Sequence, residues 1–156
     1  MVQEEFVAAK SMNAIDLLKA DHRKVEKLFE DFESAKGESR KKTLAMVICK
    51  ELIIHTIIEE EIFYPACKDA VDEDLADEAY VEHDGAKVLI AELEGSDPDN
   101  EFYDAKVKVL SEQIKHHVKE EEERGGIFAE AKQAGLDMKA LGAQMQARKD
   151  ELSAKQ

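Results

Sequence analysis

The chain has 156 residues, room for one compact domain and too little for two well-packed ones. Its 36 acidic residues outnumber 22 basic ones for a formal charge of −14, and so acidic a surface argues against nucleic acid and anionic membranes as partners. With only 7 Gly and 2 Pro the turns of a β-sandwich or barrel are missing, and no apolar run approaches the roughly 20 residues of a membrane span.

The opening stretch MVQEEFVAAK is too polar for a signal peptide, so a soluble cytoplasmic protein is expected, with residues 1–12 as a leader. Asn13 is placed to cap a first long helix that runs to about residue 35, with Asp16 in its first turn and Ile15, Leu18, Val25, Phe29 and Phe32 as apolar positions. Gly37 ends it. Ser39 is the expected cap of a second helix reaching about Lys68, with Leu44, Ile48, Leu52 and Ile62 on one stripe and Pro65 kinking or ending it near its last turn. Cys49 and Cys67 fall on this helix about 27 Å apart at 1.5 Å per residue, too far for a disulfide, and are expected as buried free thiols. A third helix over about 74–94 carries Leu75, Ala79, Ala86, Ile90 and Leu93, and is stopped by Gly95 and an SDPDN turn. A fourth over about 101–124 carries Val107, Leu110, Ile114 and Val118 until Gly125-Gly126 breaks the pattern. A short helical piece over 127–133 follows, then a polar helix from Asp137 with Met138, Leu141 and Met145 on one side. Four long helices with short connections predict an all-α, up-down-up-down antiparallel four-helix bundle over residues 13–135, with an extra C-terminal helix over 136–156. A weak internal repeat relates HTIIEEEIFYP, from His55, to HVKEEEERGGIFAEA, from His117; both run His-x-x-x-Glu, further acids, then Ile-Phe.

The histidines stand where core residues should. The first stripe reads Ile15, Leu18, His22, Val25, Phe29; the second Ile48, Leu52, His55, Glu59, Ile62; the third Ala79, His83, Ala86, Ile90; the fourth Leu110, Ile114, His117, Glu121. Side chains four apart share a helix face, so each His-x-x-x-Glu pair aims at one small volume. Counting outward from the turns of an antiparallel bundle sets all four helices' histidines near mid-height. A buried unpaired carboxylate costs several kcal/mol and an unsatisfied imidazole about 1–3, so two plus four such groups would consume a domain's stability of about 5–15 kcal/mol. A metal is the economical counter-charge. Six nitrogen and oxygen ligands without thiolate are too many for one tetrahedral zinc and too nitrogen-rich for calcium or magnesium. Two ions bridged by the glutamates and capped by histidines fit better, which suits non-haem iron, with manganese or zinc as competitors.

These motifs resemble the hemerythrin-like, or HHE cation-binding, domain. The residues that carry the resemblance are Asp21-His22 in KADHRKVEKLFEDF, the His55 to Glu59 run ending in FYP, Glu82-His83 in VEHDGAKVLIAEL, and His116-His117 through EEE, spanning about residues 13–133. The resemblance implies a carboxylate-bridged diiron centre in a four-helix bundle with O2-binding, sensing or redox roles. His22, His55, His83 and His117 would be terminal ligands, and Glu59 and Glu121 would bridge. His116 is off the stripe and is read, with Glu120, as a solvated or outer pair; the remaining acids of the two Glu runs are read as solvated faces. The family's oxygen carriers have a further histidine one turn after the third-helix ligand, where this chain has Lys87. Water or an oxygen from Tyr80, Glu26, Glu51 or Tyr64 could take that place, and the change favours oxidation over a long-lived oxygen adduct. The expected function is a diiron protein that binds or reacts with O2 or related small ligands. The alternatives are an iron store without turnover and a metal-stapled interaction module whose protein partner is unknown.

Overall fold

The computed structural model describes residues 12–155, so all but the last residue of the expected leader lies outside the described residues. The first helix, α1 (Ala14–Ser34), starts as its sequence asks: the Asn13 side chain accepts a hydrogen bond from the Asp16 backbone N–H, a cap of about 1 kcal/mol. The second, α2 (Glu38–Ile58), begins one residue before Ser39. Gly37 takes the cap position with φ +85°, and no side chain caps the helix, so the expected Ser39 cap is corrected.

The long second segment is not one α-helix. A π turn, Glu59–Phe63, separates α2 from the short α3 (Tyr64–Cys67). Pro65 is the physical reason. In an unbroken α-helix its ring would press on the carbonyl four residues back and leave it without a donor, and the wider turn just before it relieves that conflict. The helix continues two residues past the proline instead of ending there. Helix α4 (Glu73–Glu94) is capped by the Asp72 carboxylate, which accepts from Asp74 N–H. Helices α5 (Tyr103–Glu122), α6 (Ile127–Gln133) and α7 (Met138–Lys155) complete the order.

Helices α1 and α2 pack as one antiparallel pair and α4 and α5 as another; α2 meets α4 and α5 meets α1, which closes the four-helix bundle, while α7 lies along α1 and α2. Gly142 makes that docking possible, because a Cβ there would stand 2.1 Å from the Met12 carbonyl oxygen. Two apolar clusters fill the interior. One gathers Leu18, Ile58, Phe63, Phe128 and Met145 at the end covered by α6 and α7. The other gathers Phe29, Ile48, Leu52, Ile90, Tyr103 and Leu110 at the opposite end. Ile62 and Ile114 are only partly buried against their edges. Cys49 and Cys67 are free and buried, and burial pushes each thiol up to about 12, which makes them inert filler. No described helix is long and apolar enough to cross a membrane.

Candidate metal centre

Between the two apolar clusters lies a layer that is polar and buried. His22, His55, His83 and His117 are 3–6 % exposed, and Glu59 and Glu121 are 0 % and 3 %. These are the six residues expected from the sequence, and the structure brings all six together. They fall into two histidine pairs: His22 with His55, ring centroids 5.0 Å apart, and His83 with His117, 4.9 Å apart. All four rings present Nε2 to the interior. Glu59 Oε1 lies 3.4 Å from His55 Nε2 and 3.0 Å from His83 Nε2, so one carboxylate faces both pairs. Glu121 does the same with its two oxygens: Oε1 is 3.2 Å from His22 Nε2, and Oε2 is 3.2 Å from His117 Nε2. Donor atoms cluster closely enough to surround a cation in two sets, His22–His55–Glu59–Glu121 and Glu59–His83–His117.

The outward nitrogens carry the less expected half of the site. His55 Nδ1 pairs with Asp21 at 3.0 Å, His83 Nδ1 with Glu60 at 2.7 Å, His117 Nδ1 with Glu82 at 2.5 Å, and His22 Nδ1 with Glu122 at 2.5 Å. Each carboxylate sits beside an inward residue of its own helix and holds the histidine of the next helix, so the four contacts run once round the bundle and close. Adjacent residues differ by about 100° around a helix. Asp21 and Glu82 precede their inward neighbours on α1 and α4; Glu60 and Glu122 follow theirs on the oppositely directed helices, in the π turn that continues α2 and at the end of α5. Reversing a helix reverses that rotation, so all four acids turn the same way. Glu60 and Glu122 therefore correct the reading of the acidic runs as solvated: a residue 100° off the core stripe faces the neighbouring helix. With Nδ1 held by a carboxylate, each Nε2 is turned to the interior, where it offers a lone pair once the ring is neutral.

Tyr64 reaches the same layer because of the π turn. Its backbone N–H bonds to the Glu59 carbonyl, five residues back, which sets the two side chains on one face. The hydroxyl donates a short hydrogen bond to Glu121 Oε2 and stands 3.4 Å from Nε2 of both His83 and His117. Among the oxygens considered for the place vacated at Lys87, this one is at the centre. Glu26 pairs with Arg23, Glu51 with Lys24, and Tyr80 packs edge-on against Tyr64. Lys87 stays outside, with Nζ 3.1 and 3.2 Å from the two oxygens of Glu60. The signal in the sequence was Pro65, which forces the turn. Over the other pair, Phe128 of α6 stacks on His22 at 5.8 Å and meets Phe63 edge-on at 5.7 Å.

Electrostatics in this layer run against ordinary solution behaviour. Burial disfavours a charged His55, yet the Glu59 carboxylate and the Asp21 contact outweigh it and push the imidazole up to about 10. His117 is likewise raised, against burial, by Glu121 and Glu82. The His117 contact draws Glu82 down to about 2. In the protein alone, protons on imidazole offset the two interior carboxylates. The offset is incomplete: His22 Nε2, His55 Nε2, both Glu59 oxygens and Glu121 Oε1 are buried and make no hydrogen bond. These atoms approach one another without the alignment of donor and acceptor, as groups do that face a common point. Neutral imidazole nitrogens and carboxylate oxygens are the donor set that first-row divalent metals prefer, so the residues fit a metal. His116, 65 % exposed, lies outside this layer beside Glu82 and Glu120, as its phase predicts. An apolar cavity of about 20 Å³ reaches all four histidines and is walled by Val25, Leu52, Ala86, Ile90, Ile114 and Val118.

Comparison with known proteins agrees with the geometry. A family model described as the hemerythrin HHE cation-binding domain matches residues 13–124. A protein named DNA nickase, from Nostoc sp. strain PCC 7120, is 28 % identical over 111 residues, covering 71 % of this chain and 32 % of that protein. The chain thus spans about a third of the length of that curated relative. No solved structure matches it significantly.

Proposed function

This chain belongs to the hemerythrin HHE cation-binding domain family, and from that premise we propose that its buried layer holds a pair of iron ions that bind or react with dioxygen or a related small ligand. His22 and His55 would hold one ion, His83 and His117 the other, with Glu59 and Glu121 shared between them; zinc or manganese would be the competing ions. The observation that supports this most is the set of buried nitrogen and oxygen atoms without partners. Each would cost about 1–3 kcal/mol if left bare, and more for the carboxylates. The pairing of the histidines, with a carboxylate facing both pairs, supports two ions over one.

Bound iron would supply electrons and an open coordination position to a small ligand. The chain's own residues set which ligand can come. The cavity of about 20 Å³ has room for little more than one water-sized molecule, and its apolar walls favour a diatomic gas over an organic substrate. Tyr64 keeps a proton on its hydroxyl directed at Glu121, burial and the neighbouring carboxylates holding the phenol well above its usual range. Lys87 and Glu60 fix the orientation of His83 from outside. A reducing, cytoplasmic setting is in keeping with two unpaired buried thiols. The Nostoc relative's name concerns DNA; a formal charge of −14 speaks against carrying that partner over.

Anaerobic loading with ferrous iron, followed by air, tests the proposal. The expected result is oxygen uptake with new near-ultraviolet and visible absorption. A sample that binds iron yet stays colourless and ferrous in air would contradict the oxygen chemistry and favour storage.

A further inference from the structure

The last helix carries a lysine where its packing calls for an apolar side chain. Gly142, Met145, Lys149 and Leu152 recur in steps of three and four along α7 and so share one face, and the other three are buried against the bundle. From that face Lys149 pairs with Oδ1 of Asp21 on α1, 128 residues earlier in the chain. Asp21 is 6 % exposed, and its other oxygen, Oδ2, holds His55 Nδ1 at 3.0 Å. One ammonium, one carboxylate and one imidazole thus form a line from the C-terminal helix to the buried layer.

Two other carboxylates that hold histidines have outer cations as well, but of another kind. Lys87 beside Glu60 and Arg23 beside Glu122 come from the bundle helices themselves and are 39 % and 56 % exposed, against 22 % for Lys149. A pair open to water is screened and loosely held, whereas one set on a packed face keeps its geometry. The family match ends at residue 124, so Lys149 also lies beyond the domain that supplies all six inward residues. A carboxylate tied by one oxygen can turn about its last torsion, which is broad for a planar group. Asp21 is tied by both, so the His55 ring that it holds is fixed with it. Arg148, the neighbouring cation of α7, makes the contrast: it pairs with exposed Glu61 and Glu151, neither of which holds a histidine.

We infer that Lys149 is a positioning residue of the metal centre, acting through Asp21 to hold His55 towards its ion and making α7 part of the His22–His55 half. The inference rests on the metal-holding reading of the centre. Its effect is confined to one half, because His83 and His117 are held by Glu60 and Glu82 instead. Linkage adds the converse: an ion that binds more tightly when α7 is docked must in turn hold α7 in place.

The test is a titration of full-length protein with Co²⁺ against a competing chelator, with circular dichroism confirming helix content. His117→Ala leaves the His22–His55 half to be measured, and His55→Ala leaves the other. Adding Lys149→Met should weaken cobalt binding about tenfold in the His117→Ala chain, the low end of the effect of losing a histidine's outer partner, and leave binding by the His55→Ala chain unchanged. Lys149→Arg, which keeps the charge, should restore most of the affinity, and Arg148→Met should bind as the wild type does. In the wild type, where no variant need fold, cobalt should slow hydrogen exchange along α7 about tenfold. Equal losses from both halves, no loss from either, the same loss in Arg148→Met, or exchange along α7 that cobalt leaves unchanged would each overturn the inference while the buried centre stands. Failure of the wild type to bind cobalt would overturn the metal-holding reading and this inference with it.

Discussion

Two segments of the chain, His55 to Phe63 and His117 to Phe128, begin alike and end differently. Both place a histidine and a glutamate one turn apart in the buried layer, and both deliver an aromatic ring, Phe63 or Phe128, to the same apolar cluster. Beyond the glutamate they part. In the first, Pro65 is accommodated by a π turn that keeps the helix going and swings Tyr64 against Glu121. In the second, Gly125 takes φ +83° and the helix ends, so that α6 restarts at Ile127 as a separate piece over His22. The same ligand spacing therefore serves two ends: the first segment sets a buried hydroxyl beside the His83–His117 pair, and the second lays Phe128 over His22 and leaves a cavity of about 70 Å³ beside His117. Duplicate motifs fix ligand register, while the residues just after them decide access and finish.

The largest expected effects come where the segments are alike. His55→Ala and His117→Ala should each remove one histidine pair's hold, lowering metal content strongly by elemental analysis; unequal losses would show that the pairs do not share Glu59 and Glu121 as described. Asp21→Asn and Glu82→Gln should cost about 10–100-fold in metal affinity by competition with a chelator, the usual effect of removing a histidine's outer partner.

Next come changes that separate the segments. Gly126→Ala would put a Cβ 2.2 Å from the Glu120 carbonyl oxygen and 2.9 Å from that of Glu121, so it should destabilise the fold by about 1–3 kcal/mol in thermal melts and loosen Glu121. Tyr64→Phe, its counterpart, loses the hydrogen bond donated to the buried Glu121 carboxylate, worth about 1.5–3 kcal/mol, and should keep the metal.

The pH dependence has a definite sign. His55 binds a metal only when neutral, and its imidazole is raised to about 10, so at neutral pH metal entry must expel a proton. Affinity should fall as pH falls, by up to about tenfold per unit for each proton displaced. Calorimetric titrations in buffers of different ionisation heat measure that proton directly. The smallest effect belongs to His116→Ala, which should keep the buried metal at equilibrium while His117→Ala loses it. The reverse would mean that α5 is turned by about 100°.

The inward residues were legible because a 3.6-residue period is a strong rule, and a histidine in place of a leucine on a core stripe stands out against it. The Asn13 cap of α1 was equally plain, whereas the Asp72 cap of α4 was not picked out. Gly37 was read as a stop when it is also the start of the next helix, because a glycine cap leaves no side-chain signature. The π turn was not legible, since periodicity assumes one helix type and the proline announces a disturbance without saying that it falls before itself. The ring of outer carboxylates was missed for another reason. Asp21, Glu60, Glu82 and Glu122 lie off the core stripe, and only the packing of a closed bundle shows that this face meets a neighbour instead of water. Once the alternation of helix direction is included, acids before the inward residue on one helix and after it on the next become a readable pattern.

The central claim is that the buried layer exists to hold metal. Elemental analysis of the purified protein beside a Glu59→Gln/Glu121→Gln double variant, each melted with and without chelator, tests it most directly. The expected result is about two metal ions per wild-type chain and a Tm that drops on chelation, with neither seen in the variant. A wild-type protein that carries no more metal than a folded double variant, and melts at the same temperature with chelator as without, would contradict the account.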